Sequence, residues 1–218
     1  RTETPARGVV KLRADAELTS VGSRYAIEYT VYGDGTLAVE PSFDPGEARL
    51  PDLPRFGMRA TLVPGFEQLT WYGPGPQESY ADRRDLPVSV YRTTVTDNYF
   101  RYSQPQETGN KVDVRWAALT NRAGVSLLAI GRPQLGVNAL HHTAQDLDQA
   151  GHHHQLPSRA ETYLNIDWMQ MGLGGDDSWG ALPLPQYRLK AEPMRYRFLL
   201  RPLAAGESPM MHSKLSLP

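Results

Sequence analysis

The chain has 218 residues, 40% of them apolar and 22% charged, with a formal net charge of −1 and no cysteine. Enough apolar side chain is present to bury a core, so the composition fits a globular domain and not a disordered chain. It excludes disulfides, thiol catalysis and cysteine-ligated metals, and it offers no overall field to attract nucleic acid or an anionic membrane. No apolar run approaches the ~20 residues that a membrane-spanning helix needs.

Residues 1–23 read as an N-terminal extension or as incomplete first strands, and the chain starts at Arg1 without an initiator methionine, as a processed or excised piece would. Beyond them, Tyr25, Ile27, Tyr29 and Val31 alternate with smaller or polar residues. Gly33-Asp34-Gly35 then turns the chain, and Leu37 and Val39 resume the alternation, which predicts a β-hairpin. Strands are predicted at 58–63, 67–71 and 89–94. A second hairpin runs from Val112 to Thr120 and back from Val125 to Ile130, around a turn at 121–124. In TAQDLDQAG, Thr143 with Asp146 three residues on has the spacing of a capping box, predicting a short helix that Gly151 closes. A strand at 162–170 follows, and then a third hairpin pairing 187–190 with 194–200. Residues 203–218 read as a tail. With 18 prolines and 19 glycines between short strands, the pattern is that of antiparallel sheets packed face to face, and 24–202 reads as one domain.

Few side chains are spaced for catalysis. The stretch WYGPGPQESYADRRD (71–85) crowds Glu78, Tyr80, Asp82, Arg83 and Arg84 into one loop. Such carboxylates and guanidinium forks either hydrogen-bond hydroxyls and interfaces or pin their own loop. His141, His142, His152, His153 and His154 lack the one-turn spacing of a helical metal pair, which favours packing or surface roles. Asn165 and Asp167 fall on one face of the predicted strand as a polar pair. No serine-nucleophile elbow or phosphate-binding glycine loop is present. The stretch GGDDSWG (174–180) places Trp179 at the end of a flexible polar turn held by Asp176, Asp177 and Ser178. On composition, Trp179 is either a core plug or an aromatic platform.

Five segments in order, TWYGPGPQESYADR (70–83), RYSQPQETGNKVDVRW (101–116), QDLDQAGHHHQLP (145–157), YLNIDWMQMGLGGDDSWG (163–180) and YRLKAEPMRYRFLLRP (187–202), closely resemble the C-terminal domain of the bacterial β-galactosidases of glycoside hydrolase family 2. The resemblance covers roughly residues 24–202. It implies an all-β fold, a large antiparallel sandwich of the galactose-mutarotase-like (supersandwich) type with at most one or two short helices. It implies that the two catalytic glutamates, and the magnesium and sodium sites, lie mainly on a (β/α)8 barrel outside this chain, so no catalytic or metal-binding residue is assigned here. It further implies that Trp179, helped by Asp177 and Ser178, forms one wall of a galactoside pocket. Glu78, Tyr80, Asp82 and Arg83 are read, from their residue types alone, as loop-organising or interface residues. The implied partners are a β-galactoside, a catalytic barrel in the same chain or in a separate large subunit, and further subunits. Two alternatives are a stand-alone aldose 1-epimerase-like enzyme and a non-catalytic carbohydrate-binding module. Cytoplasm and periplasm both remain open.

Overall fold

The computed structural model describes residues 1–47, 49–175, 177 and 179–214. Its strands are β1 (Thr2–Ala6), β2 (Val9–Leu18), β3 (Ser23–Tyr32), β4 (Leu37–Asp44), β5 (Arg55–Leu62), β6 (Phe66–Pro74), β7 (Val88–Thr94), β8 (Lys111–Asn121), β9 (Ser126–Leu140), β10 (Thr162–Gln170), β11 (Met194–Arg195) and β12 (Arg197–Leu203). Two short helices accompany them, α1 (Ala144–Gln149) and α2 (Pro209–His212). The main layer runs β1-β2-β3-β4-β12-β9-β8-β6-β7. Every pairing is antiparallel. The fold is the expected all-β antiparallel architecture.

The long strand β9 makes the corner between the layers. Its first half pairs with β12, from Ser126 opposite Leu203 to Arg132 opposite Arg197. Its second half pairs with β10, from Gly136 opposite Asp167 to Leu140 opposite Tyr163, and β10 carries β5 on its other edge. The layer of β5 and β10 thereby folds over the main one. Period-two alternation then fills the space between them. Val39, Leu69, Trp71, Ala117, Leu119 and Phe198 of the main layer form one buried cluster with Phe56, Leu164 and Ile166 of the covering layer. The intervening residues Ala38, Trp116, Ala118, Leu128, Ile130 and Leu199 build a second buried cluster on the opposite face, and α2 packs against β8. Full burial of one such Leu or Ile side chain is worth roughly 1.5–3 kcal/mol, so the alternation is the main force holding the layers together.

The hairpin of β3 and β4 forms as its sequence predicts. Tyr32 and Thr36 close the turn, Asp34 Oδ1 accepts the Thr36 amide at 2.9 Å, and Gly35 takes φ +83°, a conformation that costs glycine nothing. The capping box also forms, Thr143 Oγ1 accepting the Asp146 amide at 3.0 Å and Asp146 Oδ2 the Thr143 amide at 2.8 Å. Residues 1–23, read as an extension or as incomplete first strands, hold two regular strands, β1 and β2, and β2 pairs along its whole length with β3. Two expectations are corrected. The helix ends on an extended Ala150, without a left-handed Gly151. The third hairpin does not form, because Pro185 starts a short 3-10 turn through Tyr187. Leu189 makes only an isolated bridge to Leu53, and β11 and β12 pair with β4 and β9. The alternation at 187–190 marks the burial of Leu189, not a strand partner.

Candidate functional site

The loop after β6 is built on a buried aromatic floor. Trp71 is enclosed; its Nε1 donates to the Pro74 carbonyl at 2.9 Å, and its ring lies against Tyr91 at 5.4 Å between centroids. A Cβ on Gly75 would meet Tyr91 at 2.7 Å and Trp71 at 3.0 Å, so the chain passes these rings only as glycine. Trp71 therefore packs beneath the loop. Glu78 is the next fixed point. It accepts the Gly109 amide at 2.6 Å and the Thr108 hydroxyl at 3.3 Å, and also the phenols of Tyr80 and Tyr102. Burial first, and then that bond to Glu78, pushes the Tyr102 phenol up to about 12. Tyr80 is enclosed, and burial drives its phenol far above its ordinary value.

The turn that follows reaches across to the tryptophan loop. Tyr80 and Arg83 exchange backbone hydrogen bonds of 3.1 and 2.9 Å, which turns Asp82 and Arg83 outward. Asp82 Oδ1 accepts the Leu173 amide at 3.1 Å and its Oδ2 the Gly174 amide at 2.8 Å. Arg83 Nη2 donates to the Gly174 carbonyl at 2.8 Å. A Cβ on Gly172 would lie 2.7 Å from the Asp82 carboxyl, so the clamp closes over a bare backbone. Gly174 and Gly175 take φ +66° and +83°, and Asp177 Oδ1 then accepts the amides of Trp179 at 2.8 Å and Ala181 at 3.2 Å. At the end of this relay Trp179 is 91% exposed. It is no core plug. Leu182 and Leu184 beside it are also exposed. Asp176 and Ser178, the other acid and the serine of the motif, lie outside the described residues.

Both Asp82 oxygens and Asp177 Oδ1 thus hold backbone amides, and the indole is what the loop presents outward. Glu78 and Tyr80 anchor the 78–83 turn, and Asp82 and Arg83 make its contacts to the tryptophan loop. Four of the sequence segments quoted above converge on it. His153, from the fourth side, contacts the Tyr99 hydroxyl and the Tyr102 carbonyl, while Thr108 and Gly109 meet Glu78. His141 and His142 also have packing work, while His152 and His154 are exposed and stack on each other. His141 bridges Glu67 and the Glu161 carbonyl, both at 2.8 Å. His142 packs edge-on to Tyr99 and is held below its ordinary pKa chiefly by burial. Among the described residues, no group of three or more His, Asp or Glu side chains converges to hold a metal ion.

Sequence reasoning missed the buried polar layer below the loop. The Lys111 ammonium donates to Asn98 Oδ1 at 2.7 Å and to the Gly109 carbonyl at 2.8 Å, and it sits 5.0 Å from the Trp71 ring. Burial lowers its pKa to about 8. Asp167 is enclosed with Arg55 Nη1 3.6 Å away; burial raises its carboxyl to about 7, against the pull of Arg55. The ionic partner of Asp167 is thus Arg55, and the expected pair with Asn165 is not the arrangement found. The only signal was that Asp167 alternates with the core residues Leu164 and Ile166, which placed it on the other face without disclosing that loops cover that face.

The sequence profile of the family described as "Beta galactosidase small chain" matches residues 2–200. The chain belongs to that family. The β-galactosidase of Priestia megaterium (strain DSM 319 / IMG 1521) is 39% identical over 186 residues, which cover 84% of this chain and 18% of that protein. Beta-galactosidase BgaC of Bifidobacterium adolescentis is 35% identical over 175 residues, 78% of this chain and 17% of the relative. This small-chain family member therefore spans less than a fifth of the length of these relatives. Among solved structures, a putative aldose 1-epimerase from Escherichia coli K12 aligns over 94% of this chain and 68% of its own, at 11% identity and a TM-score of 0.43. A GalM/aldose epimerase homologue from C. elegans aligns over 94% and 69%, at 9% identity and a TM-score of 0.46.

Proposed function

We propose that this chain is the C-terminal domain of a β-galactosidase that hydrolyses terminal non-reducing β-D-galactose residues. Its own work is to complete the sugar pocket and to support assembly. The single observation that carries the reading is an indole 91% exposed at the end of a clamped loop. An indole covers the C–H face of a pyranose and can still donate its N–H outward. Exposed Leu182 and Leu184 beside it are the kind of apolar surface that marks a docking face, here toward a catalytic barrel in the same chain or in a separate large subunit. Further subunits complete the assembly. The two carboxylates of a retaining double displacement belong to that barrel in this reading, as do the magnesium and sodium sites. Asp177 and Ser178 join Trp179 at the sugar by position in the motif, Asp177 also by accepting the Trp179 backbone amide.

The test is complementation. The isolated chain is expected to leave a nitrophenyl β-galactoside intact, and a catalytic portion lacking this domain to gain turnover when the chain is added. Hydrolysis by the chain alone, abolished by mutating one of its own residues, would overturn the assignment of catalysis to another part.

A further inference from the structure

We infer that the chain carries a second saccharide-binding pocket, centred on Trp168 and separate in its residues from the Trp179 loop. A cavity of about 410 Å3 lies between the N-terminal end of β8, the corner of β9 and the C-terminal end of β10, within the ~300–1,000 Å3 range of small-molecule sites. Its walls are made by strand irregularities. On β10, Asp167 opposes Gly57 while Met169 opposes Phe56, so Trp168 is an extra, unpaired residue. On β8, Lys111 opposes Val137 and Val114 opposes Leu135, three steps against two. The surplus there includes Asp113, the one non-glycine described at positive φ (+55°). On β9, Leu135 opposes Val114 but Ile130 opposes Trp116, so residues 131–134 leave the pairing with β8, while Gly131 and Arg132 keep theirs with β12. That excursion is tight, since a Cβ on Gly131 would meet the Gln134 backbone at 2.7 Å. Bulges re-aim side chains and persist where their surroundings hold them. Here three of them open into one cavity.

The groups they present suit a neutral, polyhydroxylated ligand. Trp168 is 42% exposed, and its ring is fixed edge-on against buried Phe56 at 6.4 Å, so one indole face is free to cover a pyranose. Gln170 is nearly enclosed at 8% exposure, yet its Oε1 has no hydrogen-bond partner. A buried acceptor without a donor is costly, and a sugar hydroxyl supplies the proton that a bare anion lacks. Of the guanidinium groups at the rim, Arg84 faces Asp113 at 3.4 Å and Arg195 faces Glu40 at 2.7 Å, and Arg132 lines the cavity as well.

The inference does not depend on Trp179, and the experiment keeps the two apart. Galactose, glucose and lactose are titrated against the full 218-residue chain by saturation-transfer NMR, with inorganic phosphate as a competitor. Saturable, weak binding of at least one sugar is expected, as an open pocket with few polar contacts would give. It should survive Trp179→Ala and weaken about tenfold in Trp168→Ala, the loss of one aromatic contact. Gln170→Leu should weaken it several-fold. Arg84→Ala, on an exposed side chain, should weaken it modestly and keeps the test open if the tryptophan variant fails to fold. Binding untouched by these three variants would overturn the inference. So would binding that only Trp179→Ala abolishes, which leaves the proposed function standing, or no binding at the solubility limit of all three sugars. Displacement by phosphate at comparable concentration would overturn the ligand class.

Discussion

Removing the Asp82 carboxylate should release the tryptophan loop while leaving the sandwich intact. Asp82 accepts two backbone amides, Leu173 at 3.1 Å and Gly174 at 2.8 Å, and among the described residues the loop is otherwise tied there by the Met171 amide donated to Pro54, the Gly172 amide donated to Tyr187 and the Arg83 bond to Gly174. A hydrogen bond to a charged group contributes about 1.5–3 kcal/mol when buried. This site is half-exposed, so about 2 kcal/mol for the pair is the reasonable magnitude, equivalent to roughly thirtyfold in the opening equilibrium. Hydrogen exchange reads it directly. In Asp82→Ala the Leu173 and Gly174 amides should exchange about thirtyfold faster, with core amides such as those of Leu119 and Ala129 unchanged. Asp82→Asn, which keeps one acceptor oxygen, should fall between. Equal protection in wild type and Asp82→Ala would refute the clamp and with it the idea that the 78–83 turn positions Trp179.

Gly172→Ala should mimic the same release, because its methyl would sit where the Asp82 carboxyl lies, 2.7 Å away; faster exchange at Gly174 without loss of overall stability is the expected result. Stability should fall as pH rises from about 4 to 7, since over that window folded Asp167 keeps a proton that the unfolded chain has released. The full effect is about 4 kcal/mol, of which roughly 2.5 kcal/mol should appear between urea denaturations at pH 5 and 7.5, and Asp167→Asn should flatten it. At the acid end the sign reverses for Asp146, whose carboxyl is held far below its usual range first by Arg159 and then by the Thr143 cap. Its contribution is present in full above the unfolded carboxylate value and is lost as pH falls toward the depressed folded one, so Arg159→Ala should lose more stability at pH 6 than at pH 2. Thr143→Ala should cost about 1 kcal/mol as a lost cap.

What the sequence disclosed follows from how local the cause is. The β3–β4 hairpin and the capping box were legible because turn chemistry and side-chain spacing within a few residues settle them, as Gly35 and the Thr143–Asp146 pair show. The alternation of Ala117 and Leu119 with Trp116 and Ala118 announced a strand buried on both faces only in outline, since nothing local says what covers each face. The absent third hairpin is the converse case: the partners of β12 are more than fifty residues away in the chain, on β9 and β4. The outward Trp179 came from a family resemblance, and its exposure alone could not have been read from GGDDSWG. The bulge at Trp168 was invisible, because an extra residue in one strand is defined only against its partner.

The measurement that tests the central claim most directly is the kinetics of β-galactoside hydrolysis by the assembled enzyme carrying Trp179→Ala or Trp179→Phe. A ring that covers the sugar should be replaced in part by phenylalanine and not by alanine. The account predicts a KM raised about tenfold or more in the alanine variant, a smaller rise in the phenylalanine variant, and assembly unchanged in both. Wild-type KM and kcat in Trp179→Ala, with the domain correctly assembled, would contradict it.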